Sequence, residues 1–285
     1  MIAIIINSKA RNAASAKPYL DKFNEVGISY DLYKTNPKNL SSTIKKCISK
    51  YKIILIGGGD GSIRTAAQYC AKTSIKLGVL ALGTMNHLAK ELSLPQSPEG
   101  MVEAIKNQST VVIDLAEVNG LIFMNNSSVG FYPKFAKKRD GYSKFYNKWL
   151  SYIPSFIESF KNHEVFTITI KSKKINCSLT TSFLMVSNNL YSLKFPFTIQ
   201  RDSFKKSILG LYYFKQGKIN LYKIFRSLFN NQKSFEILKS KDPLELHFSK
   251  QQEINISLDG DTLRVQTPLH YKSLPKSLTI LTTHS

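Results

Sequence analysis

The sequence predicts a doubly wound α/β domain followed by a second, mostly antiparallel β domain. Three observations predict it. In the first third, short apolar runs alternate with helical patterns, the texture of a parallel sheet with crossover helices. Beyond Thr110 the chain turns to closely spaced β-rich runs, opened by the hairpin signal Asn119-Gly120. No apolar run reaches the ~20 residues that cross a bilayer as a helix.

Residues 2–6 read as a buried strand, with a helix after Ser15 that tolerates Pro18 in its first turn. A second strand spans residues 28–33 and a helix spans 41–48. The third strand, 53–56, runs straight into glycines. A helix over about 62–71, a strand at 77–81 and a helix opening near Thr84 follow. In the second region, 111–118 and 121–125 flank the Asn-Gly turn. Trp149, Tyr152, Ile153, Phe156, Ile157 and Phe160 recur at helical spacing. Strand-like runs come at 165–170, 179–187, 208–214, 244–248, 254–258, 263–265 and 278–281, with a helix at 221–229 between them.

The 285 residues carry 40 Lys+Arg against 19 Asp+Glu, a net charge of +21. Such a charge speaks of partners rather than of fold: nucleic acid, an anionic bilayer or a polyanionic substrate. Most of it lies beyond residue 130. A lysine-rich surface without further meaning is the alternative. Three scattered cysteines give neither a disulfide framework nor a zinc site, and they suit a reducing cytoplasm. Five histidines without an HExxH pair give a metalloprotease no support. The apolar N-terminus is too short for a signal-peptide core, so a cytoplasmic protein is expected.

The chemistry concentrates in two loops. Gly57-Gly58-Gly59-Asp60-Gly61-Ser62 joins a buried strand to a helix. Glycines let backbone N–H groups approach phosphate oxygens, and a helix N-terminus adds a favourable dipole. Neither GxxxxGK[ST] nor GxGxxG spacing is present, which sets aside the Walker and Rossmann fingerprints. A plain strand-to-helix turn is the alternative reading. Asp60 weighs against it, because a carboxylate among phosphate-facing amides calls for a cation or a proton nearby. Leu82-Gly83-Thr84-Met85-Asn86-His87 repeats the design, although Thr84 also reads as a helix N-cap. Carboxyl ends of parallel strands are where open α/β sheets bind ligands.

Gly58-Gly59-Asp60-Gly61-Ser62 and Gly83-Thr84-Met85-Asn86-His87-Leu88-Ala89-Lys90 together resemble the diacylglycerol kinase catalytic domain family, which includes bacterial diacylglycerol kinases and sphingosine kinases. The likeness continues through Asn119-Gly120 and Asn125-Asn126-Ser127-Ser128-Val129-Gly130 and ends at Asp259-Gly260-Asp261. It implies an NAD kinase/diacylglycerol kinase-like ATP-binding α/β domain over residues 1–116, rejoined by 271–285. It also implies a β-sandwich acceptor domain over 117–270. Asn7, Thr35, Gly58, Gly59, Asp60, Gly61, Ser62, Thr84 and Asn86 would line the ATP site, with Asp60 orienting Mg²⁺ or its water. Asp261 inherits the role of the base that deprotonates the lipid hydroxyl, and Asp259 is either a second carboxylate or a turn residue.

The chain departs from the family pattern in five places. Asn7-Ser8 stands for Asn-Pro, Ser62 for Thr, and Arg64-Thr65 for Asn-Glu. Asp261 stands for Glu, one methylene shorter. Phe204-Lys205-Lys206-Ser207-Ile208-Leu209 occupies the place of an Asp-Gly segment in a structural magnesium site; Lys206 cannot ligate magnesium, so either a lysine ammonium replaces the cation or the site is absent.

The resulting expectation is an ATP- and Mg²⁺-dependent lipid kinase acting on a membrane lipid, most simply diacylglycerol. Lys134, Lys137, Lys138 and Arg139, followed by Tyr142, Phe145 and Trp149, suit an anionic membrane surface, although an amphipathic helix burying its aromatic stripe is the plainer reading of the aromatics. No nucleic acid is expected as partner, and a homodimer is compatible with the resemblance. A soluble-acceptor kinase of the NAD kinase type and a catalytically impaired, basic ATP-binding module are the alternatives.

Overall fold

The structure, a computed structural model, describes residues 1–10, 12–83, 86–130, 165–194, 198–201, 203–214 and 235–283. The chain divides into two compact units, Met1–Leu115 with Leu274–Ser285, and Ala116–Ser273.

In the first unit, β1 (Ile2–Asn7), β2 (Tyr30–Thr35), β3 (Ile53–Gly58) and β4 (Lys76–Ala81) are parallel and ordered β2-β1-β3-β4. The carboxyl-terminal part of the last strand, β18 (Leu269–Leu281), adds to β4, also parallel. Ile2, Ile4, Ile6, Leu55 and Leu80 pack with Tyr19 and Phe23 of α1 (Lys17–Glu25) and with Met101, Val102 and Ile105 of α5 (Pro98–Asn107). The helices α2 (Pro37–Ile48) and α3 (Asp60–Cys70) pack on one another and bury Leu40, Ile44, Ile63, Ala66 and Ala67. A strand buried on both faces reads as continuous apolar sequence, which is why β1 and β3 are legible without alternation. β2 and β3 lie on opposite sides of β1, so the strand order reverses there. That is the switch point where open α/β sheets take ligands.

Two helices differ from expectation. α2 begins at Pro37 rather than near Ser41, because the Asn36 side chain caps it by accepting from Asn39 N at 3.1 Å and Pro37 occupies the first turn. α5 lies where no helix is expected, although Ser97-Pro98-Glu99 carries the same signature and the Ser97 hydroxyl accepts from Gly100 N at 3.1 Å. The short α4 (His87–Glu91) follows the second glycine loop. Among the described residues no helix is long and apolar enough to cross a membrane. The helical segment around Trp149 and the one at 221–229 lie outside the described residues.

β5 (Thr110–Val118) passes from the first unit into the second and makes the expected hairpin with β6 (Leu121–Phe123). Asn119 and Gly120 both have positive φ, 47° and 81°, the geometry of a two-residue primed turn. β7 (Asn126–Gly130), β10 (Phe183–Asn188), β13 (Leu209–Phe214), β14 (Phe235–Ser240), β16 (Glu253–Leu258) and β17 (Asp261–Gln266) form an antiparallel sheet ordered β14-β13-β10-β7-β16-β17. β8 (Phe166–Lys171), β9 (Asn176–Thr181), β15 (Leu244–Phe248) and the start of β18 form the second layer. β11 (Tyr191–Lys194) and β12 (Thr198–Arg201) make a separate ribbon. Alternating residues of both layers fill one core: Ile168, Ile170, Leu246, Phe248, Leu184, Val186, Leu209, Leu211, Ile254, Ile256 and Leu258. The run expected at 179–187 is two strands broken at Ser182, and β14 escapes the pattern because its apolar residues are interleaved with Glu236 and Lys239.

Tyr271 is fully buried in this core, and burial raises its phenol well above the ordinary value. Its hydroxyl meets Ser127 Oγ at 2.9 Å. Tyr271→Phe is expected to leave the Ser127 hydroxyl buried without a partner and to cost about 1–2 kcal/mol in urea unfolding. An unchanged midpoint would contradict that pairing.

Candidate active site

The parallel register sets Thr35, Asn7, Gly58 and Ala81 side by side at the carboxyl ends of β2, β1, β3 and β4. Asn7 lies opposite Thr35, Ile6 opposite Gly57, and Gly58 opposite Ala81. The Asn7 side chain spans the switch point: Nδ2 donates to Ser62 Oγ at 2.9 Å, and Oδ1 accepts from Lys9 N at 3.0 Å. Asn12 N donates to Leu82 O at 3.2 Å, and Leu82 N to Gly58 O at 3.1 Å, tying three loops into one mouth. Thr35 is buried, and its hydroxyl makes long bonds with Asn36 O and Thr43 Oγ1, both 3.4 Å.

Glycine is required here by space. A Cβ on Gly58 would come within 2.5 Å of Ser62 Oγ, and one on Gly83 within 2.5 Å of Gly59 Cα. The two glycine loops therefore touch backbone to backbone. Gly83→Ala is expected to push them apart at a cost of about 1–3 kcal/mol, a roughly ten- to hundredfold loss of ATP affinity by calorimetry. Wild-type affinity would show that the contact does not shape the mouth.

Asn86 shapes the second loop from within. In a left-handed conformation (φ 50°), it accepts from Gly83 N at 3.0 Å and donates to Ala81 O at 2.9 Å and Gly83 O at 3.0 Å. Its amide is occupied by the loop's own backbone, so Asn86 acts as a positioning residue. Thr84 lies outside the described residues.

α3 starts at Asp60 with Gly59 as its N-cap, and no side chain caps its first turn. Its leading N–H groups are left for another acceptor, and the dipole favours an anion there. Asp60 contributes one buried carboxylate oxygen, Oδ1, with no hydrogen-bond partner among the described residues. A buried carboxylate oxygen without a donor is a position for a metal ion or a bound water. Mg²⁺ fits this donor, an oxygen ligand of the hard-cation kind.

In the second unit, Asp259 and Gly260, with φ of 50° and 96°, form the turn between β16 and β17. The Asp259 carboxylate is fully engaged. Oδ1 accepts from Asn125 N at 2.7 Å and Asn126 N at 3.1 Å, and Oδ2 from Met124 N at 2.8 Å. It is thus a backbone anchor for the Asn125-Asn126 motif rather than only a turn residue. Asp261 opens β17 and is exposed. The carbonyl of Met124 is held in turn by Asn188 Nδ2 at 3.0 Å and Arg201 Nη1 at 2.9 Å. Neither residue carries a signal in the sequence, since each stands alone in an unremarkable strand.

The described residues do not fit the structural magnesium site that the resemblance implies. Lys205 and Lys206 are exposed, and the described residues hold no group of three His, Cys, Asp or Glu able to ligate a metal. Lys206 contributes its backbone instead: Lys206 N and Ile208 N donate to Asn189 Oδ1 at 3.2 and 3.3 Å.

Residues 1–118 match the model of the diacylglycerol kinase catalytic domain. A Staphylococcus haemolyticus protein named "Putative lipid kinase SH2167" is 26% identical over 254 residues, covering 82% of this chain and 77% of that protein. A diacylglycerol kinase of the same organism is 32% identical over 82 residues, which is 28% of this chain and 25% of the relative's length. The crystal structure of a diacylglycerol kinase from Bacillus anthracis superposes with a TM-score of 0.69 at 16% identity, covering 99% of this chain and 96% of that one, a likeness of fold. Residues 1–118 thus carry the match to the diacylglycerol kinase catalytic domain, and the relatives that this chain resembles are named lipid kinases and diacylglycerol kinases.

Proposed function

We propose that the protein transfers the γ-phosphate of ATP to the hydroxyl of a membrane lipid of the diacylglycerol class. The observation that carries this reading is the uncapped N-terminus of α3 with the unpartnered Asp60 carboxylate oxygen beside it, inside a mouth of touching glycine loops. The N–H groups of residues 59–61 bind phosphate oxygens, and Asn7 and Ser62 fix the loop that presents them. Phosphoryl transfer asks mainly for positioning and charge neutralisation. Asp60 would hold Mg²⁺, which when bound would supply that neutralisation. Asp261 takes the acceptor's proton as its oxygen bonds to the γ-phosphorus and ADP leaves, while Asp259 anchors the segment at residues 124–126 that leads into β7.

The basic segment at residues 134–139 lies outside the described residues, and its contact with an anionic bilayer is part of this proposal. Co-sedimentation with vesicles tests it: binding should rise with the fraction of anionic lipid and fall with salt. Indifference to lipid charge would remove the membrane contact from the reading. Incubation with radiolabelled ATP and a panel of diacylglycerol, monoacylglycerol, ceramide, sphingosine and NAD tests the acceptor. Label in NAD alone would overturn the lipid assignment.

A further inference from the structure

The magnesium site that the resemblance implies is replaced by something specific. Arg201, at the end of β12, is 6% exposed. Its guanidinium donates from Nη1 to Met124 O at 2.9 Å, and from Nη2 to Asn125 Oδ1 at 2.7 Å and Tyr191 Oη at 3.0 Å. It lies 4.2 Å from the centroid of the Phe204 ring and 5.2 Å from that of Tyr191. One buried cation therefore links β7's leading segment, the β11–β12 ribbon and the loop after β12. A planar guanidinium is well matched to such a junction, because it delivers several donors in fixed directions while its faces stack on aromatic rings. The remainder of the loop is held by Asn189, whose Oδ1 receives Lys206 N and Ile208 N and whose backbone N donates to Ile208 O at 2.9 Å.

We propose that Arg201 is a built-in cation for the acceptor unit, which with Asn189 holds the segments at residues 124–126 and 203–208 without a divalent metal. Carbonyl and amide oxygens, the ligands a hard cation would collect, are here satisfied by the guanidinium. Segment 198–208 contains one carboxylate, Asp202, against Arg201, Lys205 and Lys206, so its charge opposes a divalent ion. Lys206, one of the two readings that the sequence leaves open for this place, is exposed and contributes its backbone N–H to Asn189. The metal requirement of the protein then reduces to the ion that accompanies ATP.

The test uses the full chain without nucleotide, so that it does not depend on the kinase reading. Wild type is dialysed against EDTA, its metal content is measured, and its thermal unfolding is followed with and without added Mg²⁺. The same measurement on Asp60→Asn excludes a cation at the glycine loops. The expected result is no stoichiometric divalent metal, and midpoints in the Asp60→Asn chain that agree within about 1 °C with EDTA or Mg²⁺. Arg201→Gln should unfold at least roughly 5 °C lower, whereas Lys206→Ala should unfold as wild type. A tightly bound stoichiometric metal, an Mg²⁺-dependent rise in midpoint that persists in Asp60→Asn, or an Arg201→Gln chain as stable as wild type would each overturn the proposal. The wild-type metal measurements keep it refutable if Arg201→Gln does not fold.

Discussion

Asp60→Asn is expected to lower ATP-dependent phosphoryl transfer by about 10²–10³-fold while leaving the fold in place. The substitution keeps the size of the side chain and replaces an anionic oxygen with a neutral amide. Stability should change little, because Asp60 stands in the first turn of α3, where a carboxylate's favourable interaction with the helix dipole amounts to about 0.3–1 kcal/mol. The activity loss has a different source. The buried Oδ1 has no donor among the described residues, and a site preorganised to neutralise phosphate charge loses that order of rate when one such group is removed. A kcat effect with near wild-type thermal unfolding is the signature. Turnover within a few-fold of wild type would remove Asp60 from the chemistry.

Asp259→Ala is expected to show the converse, a large loss of stability. Three backbone N–H groups, of Met124, Asn125 and Asn126, lose an ionised acceptor at once. Hydrogen bonds to charged groups contribute about 1.5–3 kcal/mol each, and partly buried donors left alone add a desolvation cost. Even with relaxation and water entry, a loss of at least about 3 kcal/mol in denaturant unfolding is expected. Asp261→Asn provides the contrast. Its side chain is exposed at the start of β17, so stability should hold while transfer falls by about 10²–10⁴-fold, as for loss of a general base. If Asp259→Ala unfolds as wild type, or if Asp261→Asn turns over normally, the division of labour between the two carboxylates is wrong.

The first unit is legible in the sequence because its signals are local. Each parallel strand is a solid apolar run, and the glycine loops interrupt them where the backbone must come close. The place of Gly58 at the end of its strand is legible from the glycine run, whereas Asn7 and Thr35 are reached only through the family resemblance and lie just past the strands read from the sequence. Boundaries are less legible where capping decides them: Asn36 and Ser97 each start a helix through a single side-chain bond.

The second unit is harder to read because its organising contacts are distant in sequence. Asp259 meets amides more than 130 residues away, and Arg201 meets carbonyl and amide oxygens more than 70 residues away. Turn chemistry explains why Asp precedes Gly260, and it says nothing of the three amides that the carboxylate collects. Charge reasoning leaves two readings of the aligned segment, a lysine ammonium at Lys206 in place of the metal or no site at all. The buried guanidinium comes instead from the preceding strand, where no spacing rule points to it.

The most direct measurement is transfer of radiolabelled γ-phosphate from ATP to diacylglycerol in mixed micelles, run beside NAD, for wild type and Asp60→Asn. Wild type should label the lipid and not NAD, and the variant should label neither at a comparable rate. Wild-type protein that binds ATP yet labels no lipid, or a variant that labels lipid as wild type does, would contradict the assignment of the glycine mouth as the phosphotransfer centre of a lipid kinase.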